Sequence, residues 1–252
     1  MKKLNSNAIK LIAIIAMTID HIAWAIFSGY STHPVAIIMH IIGRITCPIM
    51  CFCIAEGYHY TKDVKKYAKR LFLFALISHI PYMLQSTTFK EFGWLSLVPF
   101  ATGDGFMGHI LNQTSVMWSL FIGLLMLMVN DSKNIANKWK PFIIILLCLI
   151  SFPSDWSCIA SLFILCIGTN RGKPLNQILW CGLYAIIYAI VYYFCIDKVY
   201  GILQLGVVLS LFVIYMYNGE RGSNIQINQF MKWFFYIYYP LHLLIIGIIL
   251  LI

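Results

Sequence analysis

Charge is what this sequence has least of. Asp, Glu, Lys and Arg make up 11% of its 252 residues, against about a quarter in a typical soluble domain. With 61% of the chain apolar, a soluble fold of this length could not hide its hydrophobic surface, so that class is excluded. Short runs of strictly alternating apolar and polar residues are also missing, which disfavours a transmembrane β-barrel. The motifs of common soluble enzymes are absent: no G-x-S-x-G, no H-E-x-x-H and no G-x-x-x-x-G-K phosphate loop occurs. Neither an internal repeat nor a Gly/Pro-broken pair of helices is evident, so a secondary transporter has less support. No composition shift marks off a soluble domain, and residues 1–252 read as one integral membrane domain.

What the chain has instead is long apolar runs. Nine lie at 8–28, 36–58, 71–87, 114–129, 141–152, 156–168, 177–196, 200–217 and 233–252. Lipid offers backbone groups no water, so each run must satisfy its own hydrogen bonds as a helix. The expected fold is all-α, a polytopic membrane helix bundle of about nine segments. The fifth and sixth runs are short and are parted by SFPSD, Ser151 to Asp155. They read either as two tilted crossings or as a re-entrant pair.

The net charge is +9. In lipid this bears on orientation, not on nucleic acid. A cytoplasmic N-terminus with nine crossings puts Lys2, Lys3, Lys10, Lys62, Lys65, Lys66, Lys69, Arg70, Lys133, Lys138, Lys140, Arg171, Lys173, Arg221 and Lys232 inside. Only Lys90 and Lys198 fall outside, and Arg44 is left within the membrane. That asymmetry matches the positive-inside rule, so a multi-pass membrane protein with a cytoplasmic N-terminus is expected. The start of the chain, with Lys2, Lys3 and Ala23-Trp24-Ala25, has features of a signal peptide. Asp20 and His21 interrupt its core, however, and the run is long enough to span, so it reads as a retained first helix. The eight cysteines sit mostly in apolar runs and read as small hydrophobes. Cys47 and Cys51 lie one helical turn apart, which without a further ligand motif is weak ground for a metal, and none is expected.

Against this apolar background the buried polar residues stand out. AIIAMTIDHIAW, Ala13 to Trp24, carries Asp20 and His21 inside the first run. His21 lies roughly 15 Å above the inner end, at 1.5 Å per residue. Arg44 lies roughly 12 Å below the outer end of the second run. His79 and His242 fall at similar depths in the third and ninth runs, and Glu56 lies lower, near the cytoplasmic end of the second. An Arg or Asp at the bilayer centre costs about 2.5–3.5 kcal/mol on insertion scales. One shared, water-accessible hollow, with Arg44 paired to a carboxylate, lowers that cost. A packing clamp between helices would satisfy the same residues without any chemistry. His33 and His109 in outer loops and His59 near the inner surface read as unremarkable, and His40 as ambiguous.

The chemistry such a cluster suits is proton transfer beside a developing charge. A carboxylate can orient an imidazole that works as general base. Neighbours on a helix point about 100° apart, so Asp20 need not touch His21 and is free to face Arg44. A guanidinium in a dry hollow can stabilise an oxyanion. Below Glu56, KDVKKYAKR places Lys65, Lys66, Lys69 and Arg70 where they could hold a phosphorylated donor, or simply meet anionic lipid.

These residues resemble the TraX family of multispanning bacterial proteins. The resemblance rests on LIAIIAMTIDHI (Leu11 to Ile22), on IIGRITCPIMCFCIAEGYHYTKDVKKYAKRLFLFALISHIPYML (Ile41 to Leu84), on MYNGERG (Met216 to Gly222) and on FFYIYYPLHLLII (Phe234 to Ile246). In the middle third, SDW (Ser154 to Trp156) resembles the family's acidic-aromatic pair, and NQTSVMW (Asn112 to Trp118) matches loosely. The resemblance implies a membrane-embedded acetyltransferase related to the wider membrane acyltransferase superfamily. It implies acetyl-CoA as cytoplasmic co-substrate, and an amine or hydroxyl acceptor at or across the membrane. His21, in the IDHI motif, is the implied base, with Asp20 and Arg44 beside it. Glu56, His79, Asp155 and His242 are expected in support, and Lys65, Lys66, Lys69 and Arg70 at the donor phosphates. Expected partners are acetyl-CoA, an acceptor and membrane lipids, not nucleic acid; a homo-oligomer is compatible with the sequence. The alternatives are a proton-coupled transporter using the same buried cluster, and a scaffold for another membrane protein.

Overall fold

The computed structural model describes residues 3–27, 29–101 and 111–251. These form an all-α membrane bundle: α1 (Ser6–Ile26), α2 (Pro34–Gly43), α3 (Thr46–Tyr60), α4 (Val64–Leu84), α5 (Thr87–Phe92), α6 (Val116–Asp131), α7 (Lys140–Ser151), α8 (Ser157–Thr169), α9 (Pro174–Cys195), α10 (Lys198–Leu203), α11 (Val208–Tyr215) and α12 (Ile225–Leu251). Short 3-10 turns at Gly93–Leu97 and Gln204–Val207 follow α5 and α10. Among the described residues five segments are long and apolar enough to cross a membrane: α1, Pro34–Tyr60, α9, Lys198–Tyr215 and α12. The loop histidine His109 lies outside the described residues.

Burial in α9 runs opposite to that of a soluble helix. Cys181, Ala185 and Ala189, four residues apart, are its buried positions, while Leu179, Ile186, Ile190 and Phe194 are exposed. Small residues let helix backbones approach, and the large apolar face is left for lipid. Polar caps hold the helix starts. The side chain of Asn5 accepts from the amide of Ala8, and Asp63 from that of Lys66, each satisfying an orphan amide of the first turn.

The second apolar run is not one straight helix. It breaks after Gly43, because Pro48 has no N–H for the Arg44 carbonyl four residues earlier and its ring crowds that carbonyl. The eighth run is also interrupted, by the 3-10 turn Gln204–Val207. A broken pair of helices is therefore present where none was expected. Both breaks meet at Arg44: a Cβ on Gly206 would lie 3.3 Å from the Cβ of Arg44. Irregular backbone inside a membrane is tolerated where it faces protein or a cavity.

Helices α6 and α8 cross closely. Ser161 donates to the Ser119 carbonyl, and Ser119 to that of Ser157, each at 2.8 Å. A Cβ on Gly123 would fall 2.6 Å from Ile164 Cδ1 and 3.0 Å from Ser161 Cα, so the helices touch through a missing side chain. Gly123→Leu is expected to destabilise the bundle by at least the ~1–3 kcal/mol of an overpacked core. A thermal midpoint in detergent equal to the parent's would contradict this packing.

Candidate functional site

A hollow of about 320 Å³ opens where α1 passes the break between α2 and α3. Asp20 and His21 reach it from α1, Arg44 from the break, Gln85 from the end of α4 and Asp155 from the turn between α7 and α8. Three of these belong to the set expected to share a cavity by depth, and Asp155 joins them.

Asp20 and His21 part company, as adjacent helical residues must. The Asp20 carboxylate accepts from His40 Nδ1 at 2.8 Å and lies 3.6 Å from Arg44 Nη2. His21 instead has Gln85 Nε2 3.2 Å from its Nδ1, and its ring meets that of His242 edge-on, centroids 5.0 Å apart. Its other nitrogen, Nε2, is the one left to meet a ligand. Base chemistry there requires the proton on Nδ1 and the carbonyl end of the Gln85 amide facing it; a half-turn of the amide exchanges the two ends.

Arg44 is held from three sides. Nη1 donates to Gln204 Oε1 at 3.2 Å, Nη2 faces Asp20, and the guanidinium lies 5.4 Å over the Trp156 ring. Its Nε is buried without a protein partner. Only 7% of Arg44 is exposed, so its charge acts in a medium far less screening than water. Gly43 makes room for this pairing. A Cβ there would sit 2.3 Å from the Asp20 side chain.

Asp155 comes from a strained turn. Trp156 and Ser157 both have left-handed backbone, at φ 63° and 50°, which costs non-glycine residues about 1–3 kcal/mol each. The turn is pinned by the Asp155 amide donating to the Thr114 carbonyl at 2.8 Å and that of Gln113 donating to Pro153 at 2.7 Å. Burial pushes the Asp155 carboxyl up to about 6, with Arg44 opposing the rise and Asp20 adding to it. Its ionised form is therefore disfavoured by folding. That cost is present above pH about 6 and fades as the pH falls toward the ordinary carboxyl value of 3.8. Asp155→Asn is expected to raise the thermal midpoint at pH 8, with the gain shrinking at pH 5. An equal gain at both pH values would count against the burial argument.

Not every expected residue arrives here. His79 lies away from the hollow: its Nε2 donates to the Leu97 carbonyl at 2.9 Å and its Nδ1 lies 3.2 Å from the Thr114 hydroxyl. Depth alone put it with the others, but its side of α4 faces the Gly93–Leu97 turn. His242 backs His21 without lining the hollow, and its Nδ1 donates to the Tyr238 carbonyl at 2.8 Å. Glu56 pairs with Arg171 Nε at 2.9 Å, at the basic end of the bundle. Lys65, Lys66 and Lys69 point into solvent and line no hollow described here, whereas Arg70 lines one at the basic end. Sequence reasoning left His40 ambiguous and missed Gln204 and Gln85. His40 is four residues before Arg44, hence on its face of α2, which is a usable signal. Gln204 and Gln85 carry none.

The family described as TraX protein matches residues 5–250. The chain belongs to the TraX family. It is 25% identical over 240 residues to the probable fimbrial assembly protein FimC, serogroup H1, of Dichelobacter nodosus, spanning 93% of this chain and 91% of that one. It is 37% identical over 86 residues to an uncharacterized protein of Rickettsia prowazekii (strain Madrid E), 34% of this chain and 29% of that one. No solved structure matches. The TraX-like motifs acquire physical meanings from the geometry. IDHI supplies the two polar residues of α1. In GR-x-x-x-P, the Gly makes room for Asp20, the Arg pairs with it, and the Pro breaks the helix. YPLHL sets Tyr239 in the hollow's wall and His242 against His21.

Proposed function

We propose that this TraX-family membrane protein is an acetyltransferase that moves an acetyl group from cytoplasmic acetyl-CoA to an amine or hydroxyl acceptor at or across the plasma membrane. The observation that carries this reading is the convergence of His21, Asp20, Arg44 and Asp155 on one hollow at a break in the helices. The relative described as a fimbrial assembly protein adds an envelope context, and a subunit of a surface fibre is one candidate acceptor.

In this reading His21 Nε2 takes the proton from the acceptor N–H or O–H as that atom attacks the thioester carbonyl carbon. The tetrahedral oxyanion forms beside Arg44, whose positive charge stabilises it in a poorly screened site. Collapse breaks the C–S bond. The proton passes from His21 to the departing thiolate, leaving an acetylated acceptor and free CoA. His40 holds Asp20, and Asp20 balances Arg44.

The test is transfer of labelled acetyl from acetyl-CoA to cell-envelope acceptors by protein in nanodiscs. His21→Ala is expected to lower the rate about 10²–10⁴-fold, the range for loss of a general base. Parental activity in that variant would remove His21 from the mechanism. A proton-coupled transporter is the second reading, and the paired helix breaks at Arg44 favour it. The two readings separate on ligand-linked stability, because a carrier has no reason to be stabilised by CoA.

A further inference from the structure

Opposite ends of the bundle differ in a way the hollow at Arg44 does not use. At the basic end, Lys10 of α1, Lys62 before α4, Arg70 of α4, Arg221 of the loop before α12 and Lys232 of α12 line one hollow of about 300 Å³. Among the described residues no carboxylate lines it. An adjoining hollow of about 390 Å³ shares Lys10, Arg221 and Lys232 and contains one carboxylate, Glu56, already paired with Arg171. Among the described residues none of the five cations takes part in an ion pair. Arg70 Nε is buried and has no hydrogen-bond partner.

We propose that this basin binds the phosphate groups of a nucleotide-class polyanion. Orientation in a membrane requires only that cations be numerous near one end. It does not require five of them, from segments more than 200 residues apart in sequence, to face a common concavity. Like charges in a concave wall repel, and a multiply charged anion converts that repulsion into attraction. The rest of the wall suits a nucleotide, since Tyr60, Phe235 and Tyr236 provide aromatic surface beside the cations. The hollow also falls in the size range of small-molecule sites, about 300–1,000 Å³. The phosphate site stands on this geometry. Its assignment to the phosphates of CoA rests on the acetyltransferase reading, and it replaces Lys65, Lys66 and Lys69, which line neither of these hollows, with Lys10, Lys62, Arg221 and Lys232.

The experiment is equilibrium binding of radiolabelled CoA and of inorganic pyrophosphate to the full chain, in nanodiscs of neutral lipid and in discs containing phosphatidylglycerol. In neutral discs both probes are expected to bind and to compete. Arg221→Gln and Lys232→Gln are each expected to weaken both at least ~5-fold, and Lys65→Gln and Lys69→Gln to leave both within ~2-fold. Size-exclusion profiles and thermal midpoints identify variants that fail to fold, for which Arg221→Lys, expected to bind, is the conservative companion. Binding of pyrophosphate without CoA would keep the phosphate site and remove CoA as its ligand. Binding of neither probe in neutral discs would overturn the site. Capture of phosphatidylglycerol alone would assign the basin to lipid headgroups and overturn it equally.

Discussion

Asp20→Asn is expected to cost about 3–5 kcal/mol of stability, because it leaves the Arg44 charge buried without its carboxylate, and Arg44→Gln less, because half-buried Asp20 keeps its hydrogen bond from His40. The double variant is expected to lose much less than the sum. Removing both charges removes the desolvation cost along with the attraction, and the remaining amides can bond to His40 and Gln204, which already contact the parent side chains. On the acetyltransferase reading, activity should behave differently. Arg44→Gln and the double variant are both expected to lose transfer by about 10²–10³-fold, the loss typical of one oxyanion-stabilising group. Restored stability without restored activity would separate the clamp role of the pair from its chemical role. Strictly additive stability losses would show that the pair, 3.6 Å apart, is not energetically coupled.

On the acetyltransferase reading, Met50→Trp is expected to lower acetyl transfer far more than it weakens ligand binding at the basic end. Met50 is 3% exposed and is the one described residue that lines both the hollow at Arg44 and the basin of cations. On the acetyltransferase reading it borders the route by which a thioester arm would reach His21 from the basic end. Methionine is unbranched and adapts its shape; tryptophan is rigid and larger. A misplacement of about 1 Å at a reacting carbon already costs about 10²-fold, so the expected loss in transfer is at least that. CoA affinity should change by less than ~3-fold. Met50→Ala is expected to keep transfer and to admit longer acyl chains, a comparison of acetyl-, butyryl- and hexanoyl-CoA being the check. Full activity in Met50→Trp would mean that donor and acceptor meet by another route.

The placement of His40 shows how legibility stopped short. Depth along a helix can be counted from sequence at about 1.5 Å per residue, and counting set Asp20, His21, Arg44, His79 and His242 near one level. Depth does not give the direction in which a side chain leaves its helix. His79 has the right height and faces the Gly93–Leu97 turn. His40 shares a face with Arg44, and it became Asp20's partner only once α1 packed across that face. The helix break followed the same pattern: Pro48 was visible, yet its effect on Arg44 mattered only because Gln204 and Gly206, more than 150 residues later, meet the same spot.

Composition by itself determined that this chain is a membrane bundle, since so few charges and so many long apolar runs leave a backbone no other way to satisfy its hydrogen bonds. Ordered motifs determined its TraX kinship, and the distribution of Lys and Arg marked which ends of the helices lie together. Tertiary structure alone decided which polar residues share a hollow, which cations share a basin, and that Met50 borders both. The reason is geometric. Local sequence sets each helix's length and the height of every residue on it, but rotation about the helix axis is settled only by contacts such as Gly43 against Asp20, made between segments distant in the chain.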